Sequence, residues 1–420
     1  MMELEQSLRV QAVPSKTNWN VILAFAAVAV TTQLLWVTFT PITTQSAQVL
    51  GVSENAVGWL SEVFPLVYVI LAIPFGLLTD RWFRQSVAIG TVLTVVGGIL
   101  RIDEHFTTIL IGQLITSVGQ PLILNAINKV ALLYATPKRQ TVAISMSSAS
   151  LFLGILLAML SAPLLLAQFD LRTVIIVQAV FGVAAGAWFF IALYSPGGGR
   201  RALGTMGNMG TLGNMGNIDS GEARSGRVSL REVWSNRHVR QLSYLLFVGF
   251  GLFIALTTWL QALLAPKHIS DVAVGIALAL MTAAGMAGAA VVPDFAMRKQ
   301  KGRIFIVASL IASLAVCLYV LIGVPFWIMT GLLMIAGFLL LSDLPIVLTT
   351  AELLSKPNEA GTVTALLMLF GNLGGIVLAL FVQILMFSSI AAVGVLVLAA
   401  ILAIPLATRF PAYRSKSDAS

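Results

Sequence analysis

Residues 195–236 read SPGGGRRALGTMGNMGTLGNMGNIDSGEARSGRVSLREVWSN, the one long polar run of the chain. Within this run, residues 204–217 (GTMGNMGTLGNMGN) repeat a six-residue unit twice and add a remnant. Gly, Asn and Thr at this density bury too little apolar surface to fold, so the run is typical of a flexible linker. The run divides the chain near its middle, and we predict domains at 1–194 and 237–420 on either side of it.

The composition outside the linker is that of a membrane protein. Hydrophobic residues make up 58% of the chain and charged residues only 10%, whereas a soluble domain carries about 25% charged residues. The apolar runs exceed the roughly 18–20 residues that cross a bilayer, where backbone groups must bond within a helix. We predict an all-α polytopic membrane protein with twelve transmembrane helices, at residues 19–46, 54–79, 85–102, 106–134, 139–167, 171–194, 237–265, 271–297, 303–323, 326–353, 359–386 and 388–409.

The basic residues predict the orientation of these helices. If both termini are cytoplasmic, the inner segments hold all of the 25 Lys and Arg residues except Arg101, Lys129, Arg172 and Lys267. This asymmetry is the positive-inside pattern of a multi-pass protein of the cell membrane. The net charge of +8 is therefore explained by topology and by anionic lipid at the inner face. A nucleic-acid partner is not expected.

The two halves carry related landmarks. Asp80 and Asp294 each lie at a helix end before basic residues, 214 positions apart, and Pro137 and Pro357 each open a turn, 220 positions apart. Two landmarks at nearly one offset indicate two pseudo-symmetric six-helix bundles. Parallel repeats of this kind are typical of transporters that rock about a site between their halves.

The turn after the second predicted helix resembles the loop motif of the major facilitator superfamily. The motif has a Gly, an Asp four residues later and then basic residues, which are Gly76, Asp80, Arg81 and Arg84 here, with Phe83 where a glycine is usual. The resemblance implies the major facilitator fold and an inner gate. We expect the gating residues to be Gly76, Asp80, Arg81, Arg84, Lys129, Asp294 and Glu352.

A narrower resemblance is to the transporter family named after the feline leukaemia virus subgroup C receptor. It rests on residues of helices 2, 4, 10 and 11, which are Trp59-Leu60-Ser61, Gly112-Gln113, Gln120, Ile123-Leu124, Pro137-Lys138, Leu344-Pro345, Ala351-Glu352, Pro357, Glu359, Gly361 and Leu366-Leu367. Members with known substrates carry choline and ethanolamine. The resemblance implies a transporter of small amine-bearing solutes.

The same resemblance implies three substrate contacts. Trp36 matches a Trp that lies against the ligand's ammonium group, and Gln120 and Asn372 match two cavity glutamines. Ile254 stands where the family has a cage Tyr, which puts choline itself in doubt. Gln33, three residues before Trp36 on the same helix face, and Gln261 complete the predicted substrate-binding set. The alternative is that these residues are interfacial anchors and interhelical hydrogen-bonding groups.

Two carboxyl groups lie inside predicted helices. Glu62 falls in the outer third of helix 2, and Asp343 lies past the middle of helix 10. Ionisable groups within a bilayer mark proton or ion pathways by default, so both are candidates for proton or cation coupling. For Glu62 the alternative is a pair with Arg101.

The sequence thus predicts secondary active or facilitative transport of a small polar organic solute by a rocker-switch mechanism. Multidrug or metabolite efflux by proton antiport is the alternative, with an apolar cavity formed by Phe152, Phe181, Met281 and Met286. A receptor that does not transport is a third class. We expect no enzyme, catalytic residue, metal or cofactor, because no His lies within a predicted helix core and no paired acidic motif is present. The partners expected are the solute and the lipid bilayer, and the chain is expected to be a monomer.

Overall fold

The computed structural model describes residues 16–195, 230–267, 269–322, 325–354 and 360–411. The described part contains twelve helices that are long and apolar enough to cross a membrane, as predicted. They are α1 (Trp19–Trp36), α2 (Glu54–Arg81), α3 (Phe83–Leu100), α4 (Phe106–Leu124), α5 (Pro137–Gln168), α6 (Leu171–Tyr194), α7 (Arg237–Leu264), α8 (Asp271–Arg298), α9 (Gly302–Ile322), α10 (Phe326–Leu353), α11 (Ala360–Ile384) and α12 (Ser389–Thr408).

Two predicted helices are interrupted. The first stops at Trp36 and resumes, after a 3-10 turn at Thr40–Ile42, as a short helix at Thr43–Leu50. The fourth stops at Leu124 and resumes as a short helix at Ile127–Tyr134. Pro41 stands in the 3-10 turn and Pro121 in the last turn of α4, and each lacks the backbone donor that a continuous helix requires.

The segment predicted as linker ends in regular structure. Leu230–Ser235 forms a short helix immediately before α7. Within it, Trp234 stacks on Phe370 of α11 at 5.0 Å between ring centroids. Residues 196–229, with the six-residue repeat, lie outside the described residues.

The helices form two compact units. The first comprises the described residues within Met1–Trp36, Ile70–Ile155 and Arg172–Arg224, and the second those within Val37–Val69, Leu156–Leu171 and Ser225–Ser420. Residues 37–69 and 156–171, which were predicted with the first half, thus group with the second. Their contacts explain this. Gln383 Nε2 donates to the Asn55 carbonyl at 2.7 Å, and a Cβ on Gly275 would lie 2.5 Å from the Met159 carbonyl oxygen.

The core of the first unit surrounds the beginning of α1. Phe25 of α1 meets Phe189 of α6 edge to face, with 5.9 Å between ring centroids. α3 packs directly on α4, because a Cβ on Gly97 would lie 2.5 Å from the Gly112 carbonyl oxygen. Small residues allow such backbone approach between membrane helices.

The internal repeat is visible in the packing within each unit. In the first unit, Gly154 of α5 lies so close to the Val30 carbonyl of α1 that a Cβ would overlap it. In the second unit, Gly374 of α11 lies in the same way on the Phe247 carbonyl of α7. Gly374 follows Gly154 by 220 positions, the offset found for the two prolines. Thus α5 packs on α1, and α11 packs on α7, through glycines at equivalent positions of the repeat.

Candidate functional site

The last turn of α1 is capped by two side chains of the first unit. The Leu35 carbonyl accepts hydrogen bonds from Arg101 Nη1 and Gln113 Nε2, each at 3.3 Å. The last four carbonyls of a helix lack partners within the helix, so such donors stabilise its end. Arg101 is fully buried. The two donors fix the backbone next to Trp36, whose side chain is half-buried.

Two predicted amide contacts, Gln33 and Gln120, also lie in the first unit. Both side chains are buried. Gln33 Nε2 donates to Thr32 Oγ1 at 3.3 Å, and a Cβ on Gly154 would lie 2.7 Å from Gln33 Cβ. The first unit therefore holds Gln33, Trp36 and Gln120.

Asn372 and Gln261 lie in the second unit. Asn372 Nδ2 donates to the Met368 carbonyl of its own helix at 2.9 Å. Gln261 is buried and links three elements. Its Oε1 accepts from Thr44 N at 3.1 Å and from Thr44 Oγ1 at 3.3 Å, and its Nε2 donates to Asp271 Oδ1 at 2.7 Å. The structure thus places Gln261 in a network between α7, α8 and the short helix Thr43–Leu50, so a solute would have to displace these partners to reach it.

Both predicted coupling carboxyls are buried in the second unit. Glu62 is 1% exposed, and neither of its oxygens has a hydrogen-bond partner among the residues that the structure describes, Arg101 included. Asp343 is 4% exposed, and its Oδ2 lies 2.5 Å from Ser309 Oγ of α9.

The C-terminal half of α2 accepts hydrogen bonds from two side chains that follow the interruption of helix 4. Asn125 Nδ2, at the interruption, donates to the Ala72 carbonyl at 2.9 Å. Lys129 Nζ donates to the Thr79 carbonyl at 3.2 Å. Gly76 lies between these two carbonyls, and a Cβ there would reach ordinary contact, 3.5 Å, with Asn125 Nδ2. The interruption of helix 4 thus presents two donors to α2 near the predicted gate.

The gating arginines make different contacts. Arg84 Nη2 donates to the Leu193 carbonyl at 2.7 Å, and its guanidinium lies 4.9 Å from the centroid of the Tyr194 ring. A cation at the last carbonyls of a helix is favourable, so Arg84 ties the start of α3 to the end of α6. The Arg81 guanidinium lies 4.7 Å from the centroid of the Trp82 ring.

The structure does not describe the side chains of three predicted gating residues. Asp80, Asp294 and Glu352 lie within α2, α8 and α10, and their side chains are outside the described part. Sequence reasoning named Arg101 only as an alternative partner of Glu62, and it did not predict the hydrogen bonds that Asn125 and Arg101 make. Their signals were a polar residue close after Pro121 and one of the few basic residues remote from the inner segments.

A comparison with known protein families gives a match that spans most of these twelve helices. The family model described as Major Facilitator Superfamily matches residues 21–379. The chain belongs to the major facilitator superfamily. The family and the fold are those of transporters, which are not enzymes. The protein is therefore a multi-pass membrane protein of this superfamily.

Curated relatives resemble the family expected from the sequence. Solute carrier family 49 member A3 of Danio rerio is 25% identical over 304 residues, 68% of this chain and 60% of that protein. Choline/ethanolamine transporter FLVCR2 of Rattus norvegicus is 28% identical over 156 residues, 36% of this chain and 29% of that protein. The chain thus spans less than two thirds of either relative.

Solved structures share the fold. A bacterial homologue of the human lysosomal transporter Spinster superposes with a TM-score of 0.72 at 16% identity, covering 94% of this chain and 98% of that one. A structure of the nucleoside transporter NupG has a TM-score of 0.68 at 14% identity, covering 93% of this chain and 98% of that one. Both likenesses concern the fold.

Proposed function

We propose that this transporter moves a small polar organic solute bearing an amine across the membrane by alternating access. The observation that carries the proposal is the grouping in the first unit of the half-buried Trp36 with two buried amides, Gln33 and Gln120. The likeness to proteins named choline/ethanolamine transporters supports the same solute class. Buried polar side chains in membrane helices are costly unless they bind a partner.

Trp36 would contact the amine through its ring face. A cation over an indole is stabilised by about 0.5–2 kcal/mol. Gln33 and Gln120 would supply carbonyl acceptors and amide donors for the other polar groups of the solute. Asn372 and Gln261 remain sequence-based predictions as substrate contacts, because the structure gives each of them protein partners.

The predicted preference among amines follows from Ile254. This side chain is 2% exposed and packs against Gly375 of α11 within the second unit. An aliphatic side chain offers no aromatic face to a quaternary ammonium group. We therefore propose that primary amines such as ethanolamine are transported better than choline.

Uptake of radiolabelled ethanolamine and choline into proteoliposomes tests the proposal. Wild type should take up ethanolamine, and Trp36→Ala should raise its KM about 2- to 30-fold, which corresponds to the energy of a cation–π contact. Gln120→Ala should also raise the KM. Trp327→Ala is the matched control, because this Trp is 74% exposed at the start of α10. Unchanged KM values in both Trp36→Ala and Gln120→Ala would exclude this site.

We also propose that both termini are cytoplasmic and that the protein lies in the cell membrane. The distribution of Lys and Arg supports this orientation. Single cysteines at Asn208 and Lys267 should then react with a membrane-impermeant reagent from opposite sides. Labelling of both from one side would contradict the proposed topology.

Proton-coupled efflux of drugs or metabolites is the second candidate. The buried carboxyls Glu62 and Asp343 favour a role for protons. The expected apolar cavity has less support, because Met281 is fully buried and packs on Gly337, where a Cβ would lie 2.7 Å from Met281 Cγ. Drug resistance of expressing cells without ethanolamine uptake would favour this candidate.

A further inference from the structure

Asp343 is a buried carboxyl with one described partner. It lies on α10 and is 4% exposed, and its Oδ1 has no hydrogen-bond partner in the described ranges. Its Oδ2 lies 2.5 Å from Ser309 Oγ on α9. α7 also faces the carboxyl, because a Cβ on Gly249 would lie 3.4 Å from Oδ2. The carboxyl is thus enclosed by three helices of the second unit.

The hydroxyl of Ser309 carries one proton and lies within hydrogen-bonding distance of two oxygen atoms. Ser309 Oγ lies 2.8 Å from the Ile306 carbonyl oxygen as well as 2.5 Å from Asp343 Oδ2. A serine hydroxyl has one proton to donate and can accept hydrogen bonds, whereas a peptide carbonyl can only accept. With a carboxylate at Asp343, Ser309 has to share its single proton between two acceptors. Two separate hydrogen bonds form when Ser309 donates to Ile306 and a protonated Asp343 donates to Ser309.

The charge around Asp343 favours the same protonation state. No residue in the described part of the chain forms an ion pair with Asp343. An isolated carboxylate in a membrane interior is costly. On α9, Arg303 is exposed and lies six residues before Ser309, about 9 Å along the helix axis. A cation at that distance along the helix does not replace a direct partner.

The other titratable groups of the neighbouring helices lie at other levels. On α9, Cys317 and Tyr319 lie eight and ten residues beyond Ser309. On α7, Tyr244 lies five residues before Gly249 and contacts Phe370. α11 carries no ionisable residue over Ala360–Ile384. The remaining ionisable residues of α7, α8 and α10 lie nearer the helix ends, and they are Arg237, His238, Arg240, Asp271, Asp294, Arg298 and Glu352.

We propose that Asp343 is protonated in this structure and carries the coupling proton of the transport cycle, with Ser309 as its hydrogen-bonding partner in both charge states. This proposal rests on the proposed transport of an amine and names its coupling ion. Glu62 is the less suited of the two carboxyls, because no described residue supplies either of its oxygens with a hydrogen bond.

The proton step breaks the O–H bond of Asp343 and reorients the hydroxyl of Ser309. The O–H bond of Asp343 breaks when the proton leaves to water that enters from one side of the membrane. Ser309 then turns its single proton from the Ile306 carbonyl to the new carboxylate, which is a stronger, charge-assisted acceptor. Reprotonation from the other side reverses both changes. One hydroxyl thereby serves both states, and the carboxylate is never left without a donor.

The protonation state has a test that needs no substrate. Infrared spectra of the protein in lipid at pH 7 should show a protonated carboxyl band that is lost in Asp343→Asn and shifted in Ser309→Ala. Ser313→Ala is the matched control, because Ser313 is equally buried on α9 and donates to the Ser309 carbonyl at 2.9 Å. Its spectrum should keep the band in place. Absence of an Asp343 band at pH 7 would overturn the proposal.

The coupling role is tested with radiolabelled ethanolamine in proteoliposomes. Asp343→Asn should lose accumulation driven by a pH gradient while it retains exchange of internal for external ethanolamine, since exchange requires no net proton movement. Ser313→Ala should keep both. Retained pH-driven accumulation in Asp343→Asn, or its loss in Glu62→Gln alone, would overturn the assignment. If wild type moves no ethanolamine, the proposed substrate class fails and the infrared result still decides the protonation state.

Discussion

The indole of Trp259 occupies the space that a side chain at Gly58 would need. A Cβ built on Gly58 would lie 2.6 Å from Cζ2 of the indole ring and closer still to Cη2 of the same ring. Trp259 is fully buried in α7, and Gly58 lies in the first turns of α2. Both belong to the second unit, so the beginning of α2 and the end of α7 are packed through a glycine that admits a large ring.

Gly58→Ala should loosen this packing. Overpacking a close contact costs about 1–3 kcal/mol, and the added methyl group meets the rigid ring of Trp259. We expect faster alkylation of a cysteine placed at Ser46, a fully buried residue of the short helix Thr43–Leu50, in a Cys317→Ser background. The alkylation rate should rise by roughly tenfold for each 1.4 kcal/mol lost.

The control for this experiment is Gly331→Ala. A Cβ at Gly331 of α10 has no neighbour within 4 Å, so alkylation at position 46 should not change. Adding Trp259→Leu to Gly58→Ala should restore a slow rate in part, because the smaller side chain leaves room for the methyl group. A Gly58→Ala protein that reacts like wild type would contradict the packing account.

Gln261→Ala should also loosen the packing of the short helix Thr43–Leu50, because it removes hydrogen bonds rather than crowding a close contact. The substitution removes the hydrogen bonds with Thr44 and Asp271, each of which contributes about 0.5–1.5 kcal/mol. Alkylation at position 46 should rise, and the KM for ethanolamine, measured on the same variant, tests separately whether Gln261 also contacts the solute. Gln241→Ala is the control, because Gln241 also lies on α7 but donates to Leu406 and Arg409 carbonyls at the other end. A raised KM in Gln261→Ala would instead support substrate binding.

The number and placement of the helices could be predicted from the sequence. Apolar runs of sufficient length have one solution in a bilayer, and all twelve predictions are confirmed. The two interruptions were not predicted, although Asn125, Asn128 and Lys129 end the apolar run at the second one. Pro121 and Pro41 were the available signals, but proline is tolerated within many membrane helices, such as Pro163 of α5.

The side-chain roles were less predictable. Burial of Glu62 and Asp343 follows from their place in apolar runs, whereas the Ser309 partner of Asp343 depends on the packing of α9 on α10. Gln261 illustrates the limit. A glutamine in a membrane helix is equally suited to a solute and to a neighbouring helix, and its hydrogen bonds with Thr44 and Asp271 depend on packing that the sequence does not reveal.

Asp80→Asn should slow transport while binding survives. Asp80 follows Thr79, whose carbonyl accepts a hydrogen bond from Lys129. The resemblance to the loop motif predicts Asp80 as a gating residue, and Lys129 is also among the predicted gating residues. We expect several-fold slower ethanolamine exchange with unchanged equilibrium binding. Lys129→Gln, which keeps a donor but loses the charge, should slow exchange less than Lys129→Met. Loss of ethanolamine affinity in a correctly inserted Asp80→Asn protein would exclude a purely gating role.

His105 and Asp103 should titrate as a pair in the loop between α3 and α4. His105 Nδ1 lies 2.8 Å from Asp103 Oδ1. The hydrogen bond to Asp103 raises the pKa of His105 above its usual 6.5, and the same bond lowers the pKa of Asp103 below its usual 3.8. The contribution of the pair to the stability of the loop is therefore fully present between these two values. It is lost as the pH rises through the raised pKa of His105 or falls through the lowered pKa of Asp103.

Nuclear magnetic resonance of histidine-labelled protein measures this directly, with His105→Gln to assign the signal. The pKa of His105 should lie above 6.5 in wild type and fall toward that value in Asp103→Asn. Thr108→Val is the control, because Thr108 donates to the other oxygen, Asp103 Oδ2, at 3.0 Å. Removing that donor should raise the pKa of Asp103 and leave the hydrogen bond to His105 in place. A His105 pKa that does not respond to Asp103→Asn would show that the pair does not form in the membrane-embedded protein.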